Sequence, residues 1–380
     1  MTRINEIISG LQKIAANPGK AVADYTKETG KGAVGICYLY APDEIFHAAG
    51  YLPVGMWGAS VPISKARTHL PPFGCSVMQA VMELECGGVY DILKAVVFSV
   101  PCDTLKCMSQ MWKGKCPSLT FCHPQNRKLE AANVFLTEEY RKLKERFEAI
   151  TGEKIPDAAI EKSIEVYNAN RAVMREFTDV AAEYPDIFDP IKRHAVIKSR
   201  FFMEKSRHTA LVSELIAEVR KQPKKPWPGK KVILSGIMAE PDGFLDVFRE
   251  FNLAVVADDL AQEGRQYRVD VPALPGREPL YRLAKWWQDF DGCSLATDLA
   301  TVDAGKFRNN MLVDMTKKYK ADGVVICMMK FCDPEEFDYP VLYPALDKAG
   351  VPNLMVEVDL EVRSFEQVKT RVQTFRDILG

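Results

Sequence analysis

Ten cysteines in a chain of 380 residues are the side chains best suited to chemistry, above all as metal ligands. None of them stands in a C-x-x-C pair, so the usual signature of a zinc ribbon or knuckle is absent, and so is the dense ferredoxin run. Disulfides are not expected in a reducing compartment. Any metal must therefore be bound by cysteines that are distant in sequence, and most of the ten are expected to be small buried residues.

Three of the cysteines stand where predicted elements begin or end. Cys102 follows an apolar, strand-like run at residues 94–100, and Cys332 follows a second strand candidate at residues 323–327. Cys75 directly precedes a predicted helix, whose first backbone N–H groups favour the thiolate that a metal needs. In parallel sheets chemistry is concentrated at the carboxyl ends of the strands. Three such thiolates could bind a cluster and leave one iron open for catalysis.

Three blocks of the chain supply the elements that position these cysteines. Residues 1–130 mix strand-like and helix-like segments and predict an N-terminal α/β domain. Residues 131–228 carry apolar residues at spacings of three and four and end in a lysine- and proline-rich stretch, which predicts a helical segment and a linker. Residues 229–380 alternate strands with helices, which is typical of a parallel sheet and predicts a C-terminal α/β domain.

Composition and missing motifs limit the function classes. The net charge of −1 gives no indication of nucleic acid or an anionic membrane as partner. Neither G-x-G-x-x-G nor a Walker A sequence occurs, so we expect no dinucleotide site and no ATP hydrolysis by this chain. The N-terminus has no apolar run, and no stretch of eighteen apolar residues exists, so we expect a cytoplasmic protein without a membrane span.

Polar residues near predicted strand ends have two interpretations. They could act at a site, or they could serve as helix caps, turns and internal salt bridges. The residues concerned are Asp258, Asp259, Arg265, Glu357, Asp359 and Arg371. His47 lies in a predicted helix and is expected in the core, whereas Trp286 and Trp287 are expected in the core or in a subunit interface.

Several motifs resemble those of the 2-hydroxyacyl-CoA dehydratase and benzoyl-CoA reductase superfamily. The chain has GICYLYAPDEIFHAAGYLP at residues 35–53, PCDT at 101–104 and KFCDPEEFDYP at 330–340. The segments around Asp258–Asp259 and Glu357–Asp359 follow in the order that the family shows. The resemblance covers the chain from about residue 20, and its most specific element is the KFCDP sequence.

The resemblance implies a fold, a cofactor and partners. The fold is α/β, with two Rossmann-like parallel-sheet domains and a helical segment between them. One [4Fe–4S] cluster is implied at Cys75, Cys102 and Cys332, with Cys107 as an alternative to Cys102. Flavin (FMN) is a further cofactor of the family, although the sequence shows no motif for it. The chain resembles a β subunit, which implies a heterodimer with a homologous α subunit, an ATP-dependent iron–sulfur activator protein and an acyl-CoA substrate.

The implied reaction removes water from a 2-hydroxyacyl-CoA, and we expect (R)-2-hydroxyglutaryl-CoA as the substrate and an enoyl-CoA as the product. One electron added to the thioester gives a ketyl radical anion that expels the 2-hydroxyl group, after which the β-proton is acidic enough for an ordinary base. The activator delivers the electron, in agreement with the missing Walker A sequence. Three alternatives stay open: a benzoyl-CoA reductase subunit, a double-cubane cluster electron-transfer protein of the same superfamily, and an α/β protein with incidental cysteines.

Overall fold

Two parallel sheets organise the protein, seen here in a computed structural model that describes residues 2–37, 39–290, 292–296 and 304–380. Each sheet has four strands in these ranges. The first sheet has the order β2-β1-β3-β4, and its strands are β1 (Ala33–Cys37), β2 (Leu52–Gly55), β3 (Ala95–Val100) and β4 (Ser118–Cys122). The second has the order β6-β5-β7-β8, and its strands are β5 (Lys230–Gly236), β6 (Leu253–Leu260), β7 (Gly323–Met329) and β8 (Asn353–Val358). The predicted α/β class with two Rossmann-like sheets is confirmed.

The strands form because their residues are apolar on both faces. All residues of β1, β6 and β7 are buried, as parallel strands covered by helices on both sides require. The strand β6 extends beyond the predicted apolar run and includes Asp258 and Asp259. These two carboxylates are tolerated inside a buried strand because arginines pair with them.

Helices surround the two sheets and lie between them along the chain. The first group is α1 (Arg3–Ala16), α2 (Pro18–Thr29), α3 (Asp43–Ala48), α4 (Ser76–Cys86) and α5 (Asp103–Met111). The second group is α6 (Glu130–Thr151), α7 (Asp157–Glu183), α8 (Pro190–Ser199) and α9 (Lys205–Arg220). The third group is α10 (Asp242–Glu250), α11 (Pro279–Asp289), α12 (Ala304–Tyr319), α13 (Asp333–Lys348) and α14 (Glu366–Ile378). Among the described residues, no helix is long and apolar enough to cross a membrane.

The helical block follows the apolar spacing of its sequence. The apolar residues at intervals of three and four along α6 and α7 are buried, as the pattern predicts, except for Ile150 at the end of α6, which is partly buried. Arg171 occupies the position in α7 where an apolar residue is due. It is buried as well, and its guanidinium pairs with the carboxylate of Glu44 at 2.5 Å. The charge is therefore accommodated by a partner in α3 rather than by solvent.

The first helix of the chain packs on the helical block. Ile4, Ile7 and Leu11 of α1 are buried in one apolar cluster with Phe177 of α7 and Leu215 of α9. The division of the chain into residues 1–130, 131–228 and 229–380 stays a prediction. Both sheets contribute to a second, larger apolar cluster that joins the two halves of the protein.

Candidate functional site

The three predicted cysteines all occupy the residue that precedes a helix. Cys75 precedes α4, Cys102 precedes α5 and Cys332 precedes α13. The first N–H groups of a helix have no partner within it, so they are available to a sulfur atom at this position. These N–H groups lower the pKa of each thiol. They belong to Val77 and Met78 for Cys75, to Thr104 and Leu105 for Cys102, and to Glu335 for Cys332.

Each sheet places one of the three cysteines at the carboxyl end of a central strand. Cys102 follows β3 and Cys332 follows β7. Each of these strands lies at the point where the strand order of its sheet reverses, between β1 and β3 in the first sheet and between β5 and β7 in the second. Ligands of open α/β sheets bind at the carboxyl ends of strands at this switch point. The fold thus directs both residues to positions suited to a site.

The three thiols lie within electrostatic reach of one another. Burial, with a smaller contribution from Cys102, raises the pKa of Cys75 to about 12. Burial also raises the pKa of Cys332 well above its ordinary value, and both Cys75 and Cys102 add to that effect. The thiols are therefore protonated unless a cation binds beside them. A metal that binds there displaces these protons and supplies the positive charge that three neighbouring thiolates need.

Hydrogen bonds connect the start of α4 to the segment that carries Cys332. The backbone N–H of Ser76 donates to the carbonyl oxygen of Lys330 at 3.4 Å. The hydroxyl of Ser76 donates to Asp359 Oδ1 at 2.8 Å and accepts from the N–H of Leu360 at 2.8 Å. The Nζ atom of Lys330 lies 2.9 Å from Asp359 Oδ2. Residues from the two halves of the chain therefore hold Cys75 and Cys332 in a common frame.

The other cysteines discussed from the sequence differ in their surroundings. Cys107, the alternative to Cys102, is exposed on α5, whereas Cys102 is half-buried. Cys37 in β1 and Cys327 in β7 are fully buried, and burial raises the pKa of both thiols far above the ordinary value. These two residues are packing residues, as their apolar sequence context predicts.

The three thiols are donors of the chemical kind that ligates a [4Fe–4S] cluster. Within the described ranges, no group of three or more His, Cys, Asp or Glu side chains is arranged to hold one metal ion. Cys75, Cys102 and Cys332 are nevertheless mutually close in electrostatic terms and lie at helix starts. A [4Fe–4S] cluster is wider than one ion and takes one thiolate for each ligated iron. Three thiols of this kind fit such a cluster and leave one iron without a cysteine.

The motifs of the sequence agree with comparisons to known proteins. A family model described as 2-hydroxyglutaryl-CoA dehydratase, D-component, matches residues 38–379. The chain belongs to this family. It is 59% identical over 380 residues to the lactoyl-CoA dehydratase subunit beta of Anaerotignum propionicum, with both chains covered completely. It is a dehydratase subunit and therefore part of a hydro-lyase, as the sequence analysis predicts.

Two further relatives of this dehydratase subunit extend over the same length. The (R)-phenyllactyl-CoA dehydratase beta subunit of Clostridium sporogenes is 38% identical over 382 residues, with 100% of each chain covered. The (R)-2-hydroxyglutaryl-CoA dehydratase, subunit beta, of Acidaminococcus fermentans is 34% identical over 381 residues, covering 99% of this chain and 100% of the relative. The three relatives share the description as beta subunits, in agreement with the subunit type expected from the sequence.

A buried network of charges lies behind Cys332 in the dehydratase subunit. Arg265 pairs with Asp259 at 3.1 Å and with Glu335 at 3.1 Å, and Arg308 pairs with the same two carboxylates at 3.0 and 2.9 Å. The predicted salt bridge of Arg265 is thus confirmed. Glu335 and Arg308 were not predicted as site residues from the sequence. The position of Glu335, three residues after Cys332 in the KFCDPEE sequence, was an available signal, whereas Arg308 of α12 had none.

A cavity and exposed aromatic side chains border the cysteines. The cavity has a volume of about 210 Å³, and its lining includes Ser76, Lys330, Phe331 and Asp359. Phe73, two residues before Cys75, is 70% exposed. Phe331, directly before Cys332, is 37% exposed, and Phe337 of α13 is 84% exposed. Exposed aromatic rings thus occur close in sequence to Cys75 and Cys332, beside a cavity whose lining is mostly polar.

A second groove lies at the carboxyl end of β8. It has a volume of about 310 Å³, and Glu240, Glu357, Asp359 and Arg371 contribute to its lining. Asp359 also lines the cavity beside the cysteines, so the two spaces are neighbours. Arg371 is exposed, which leaves both interpretations of this residue open.

Proposed function

We propose that this chain is the β subunit of a dehydratase that removes water from lactoyl-CoA, and that Cys75, Cys102 and Cys332 bind one [4Fe–4S] cluster in it. The observation that carries the cluster is that three thiols stand at three helix starts and lie within electrostatic reach of one another. The support for the substrate is the identity of 59% to a lactoyl-CoA dehydratase subunit, against 34% to a 2-hydroxyglutaryl-CoA dehydratase subunit. The substrate (R)-2-hydroxyglutaryl-CoA stays a prediction and is the second candidate.

The chain's own residues would hold the cluster and shield it from water. Backbone N–H groups at the starts of α4, α5 and α13 stabilise thiolates at Cys75, Cys102 and Cys332. The contacts among Ser76, Lys330 and Asp359 maintain the spacing between two of these ligands. When bound, the cluster supplies electrons one at a time, which is the chemistry that activates a 2-hydroxyacyl thioester.

The partners in this proposal are a homologous α subunit and an ATP-dependent iron–sulfur activator protein. The exposed rings of Phe73, Phe331 and Phe337 support a protein partner at the edge of the site, because aromatic residues are enriched in the centres of interfaces. A permanent subunit contact would also keep the electron path at fixed length. The FMN implied by the family resemblance stays a prediction.

Dehydration assays test the substrate. Lactoyl-CoA, phenyllactyl-CoA and (R)-2-hydroxyglutaryl-CoA are each given to the anaerobically purified αβ pair together with activator and ATP. We expect the highest kcat/KM for lactoyl-CoA. A kcat/KM at least tenfold higher for (R)-2-hydroxyglutaryl-CoA would reject lactoyl-CoA and restore the second candidate.

The same assay tests the subunit role. We expect no turnover by this chain alone, none by the αβ pair without activator, and turnover only by the complete system with ATP. Turnover by the isolated chain would contradict the β-subunit role. A stable homodimer with reductase activity of its own would instead favour a double-cubane cluster protein.

A further inference from the structure

One carboxylate lies directly behind a cysteine of the site. Glu335 is in the first turn of α13, the helix that begins after Cys332, and it is only 2% exposed. Cys332 and Glu335 are three positions apart at the start of this helix, a spacing that makes side chains neighbours on one helix face. The backbone N–H of Glu335 also donates to the carbonyl oxygen of Cys332 at 3.0 Å. Glu335 is therefore a close negative neighbour of that sulfur atom.

Two buried arginines hold this carboxylate in place and keep it charged. Arg265 Nη2 lies 3.1 Å from Oε1, Arg308 Nη2 lies 2.9 Å from Oε2, and the hydroxyl of Ser294 donates to Oε1 at 2.8 Å. Burial acts to raise the pKa of Glu335, but Arg308 and Arg265 outweigh it and keep that pKa below its ordinary value. Glu335 thus presents a fixed negative charge at neutral pH.

The network around Glu335 has equal numbers of positive and negative charges: Arg265, Arg268 and Arg308 on one side, and Asp259, Glu335 and Asp338 on the other. Removal of the Glu335 carboxylate would therefore leave an excess of positive charge beside Cys332. The guanidinium groups of Arg265 and Arg308 also contact Asp259, so their charge is shared between two carboxylates. Arg308 in addition pairs with Asp338. Interactions between charges are strong in such a buried place because water screens them little.

A fixed negative charge beside a metal cluster disfavours the addition of an electron, because the reduced cluster is the more negative form. We infer that the Glu335 carboxylate, held beside Cys332 by Arg265 and Arg308, keeps the reduction potential of the bound cluster low. This inference rests on the proposed function. One electron enters from the reduced iron–sulfur activator, and no bond forms or breaks in that step. A low potential makes the cluster a strong reductant, which a thioester substrate requires.

The test is Glu335→Gln in the αβ pair, which removes the charge and keeps the size of the side chain. Iron per chain is measured first, and the midpoint potential is then followed by electron paramagnetic resonance in a redox titration. We expect full iron content and at least a tenfold change in the reduction equilibrium in favour of the reduced form, or about 59 mV for one electron. The cluster of the partner subunit, whose sequence is unchanged, is the internal reference.

Two matched variants separate charge from structure. Glu335→Asp keeps the charge, so the midpoint potential of the cluster should equal that of the wild type. Glu336→Gln removes the charge of the exposed neighbouring residue and should leave the midpoint potential unchanged. A wild-type potential in Glu335→Gln with full iron would overturn the inference. Loss of iron from both Glu335 variants would also overturn the inference, because Glu335 would then be required for the cluster to bind and would not act on its reduction potential. A wild-type chain without any cluster would instead refute the proposed function itself.

Discussion

The N–H of Ser76 donates to the carbonyl oxygen of Lys330, 254 positions further along the chain, at 3.4 Å. This bond joins the first turn after Cys75 to the segment that leads into Cys332. The frame of the site therefore depends on the packing of the two halves of the protein. A site of this kind forms only when both α/β units have folded and met.

The first prediction concerns the ligands. Replacing Cys75, Cys102 or Cys332 singly with Ser should reduce the iron bound per chain by more than half, because each removes one thiolate from a set of three. Cys107→Ser is the matched control, since this residue is exposed on α5 and should keep the wild-type iron content. Iron and acid-labile sulfide are measured in anaerobically purified protein. Full iron in Cys102→Ser together with loss in Cys107→Ser would show that Cys107 is the middle ligand.

A second prediction concerns the backbone next to Cys332. Phe331 has a φ of 62°, in the left-handed region that favours glycine. Phe331→Gly should therefore be more stable than Phe331→Ala by about 1 kcal/mol, since both remove the ring but only Gly adopts this φ without strain. The free energy of unfolding in urea is compared for the two variants without iron.

Phe337 provides the control for this comparison, because it is exposed within α13. At this position the order of stability of the Gly and Ala variants should reverse. Phe337→Gly should be less stable than Phe337→Ala by about 1 kcal/mol, because glycine is less favourable than alanine in a helix interior. Equal stabilities of Phe331→Gly and Phe331→Ala would show that the strain at this position is absorbed elsewhere.

A third prediction is a pH dependence that originates in His194. Burial acts to lower the pKa of this imidazole, but Glu240 and Glu263 outweigh it and raise the pKa to about 9. Because the pKa is higher in the folded than in the unfolded state, the stabilisation is complete below about pH 6.5 and is lost as the pH rises through 9. The loss amounts to about 3 kcal/mol at most.

The measurement is the difference in the free energy of unfolding between wild type and His194→Gln from pH 6 to 9.5. The difference is needed because burial lowers the pKa of Lys205 to about 7, which acts in the opposite direction over an overlapping range. The advantage of the wild type should shrink as the pH rises. A difference that stays constant with pH would mean that His194 is neutral in the folded protein.

Much of the fold could be predicted from the sequence, because buried parallel strands are apolar runs with clear ends. The run at residues 323–327 marks β7, and the run at 94–100 marks β3. The short strand β2 contains Pro53 and has no such run, so it emerges only from its pairing with β1. The end of β6 was unclear from sequence because its carboxylates become acceptable in a strand only once arginines from other elements reach them.

The candidate site was predictable to the extent that it depends on local position. The sequence predicts that Cys75 precedes a helix and that Cys102 and Cys332 follow strands. That Cys102 and Cys332 also precede helices emerges only from the structure. The charged residues next to these cysteines were not predictable from the sequence. Glu335 and Arg308 belong to different helices, and only the folded structure brings them into contact. A local sequence pattern can therefore predict candidate ligand residues. The ion pairs that surround these residues can be identified only from the folded structure.

The last prediction is that the fold survives removal of the iron. The three proposed ligands lie outside the strands, and apolar clusters fill the space around both sheets, so the hydrogen-bonded framework does not depend on a metal. After exposure to air or treatment with a chelator, dehydratase activity should disappear while the far-ultraviolet circular dichroism stays the same. The melting temperature should fall by a few degrees, because a ligand that binds only the folded state stabilises it.

A pair of variants makes this last prediction sharper. Cys332→Ser should lose iron and keep its secondary structure. Cys327→Ser should keep the iron content per folded chain and lose about 1–3 kcal/mol of stability, because it places a hydroxyl group in a fully buried strand. Collapse of the helical signal in Cys332→Ser, or in the wild type after removal of iron, would contradict this expectation. The cluster would then be part of the framework that holds the two halves together, and the hydrogen bond from Ser76 to Lys330 would depend on it.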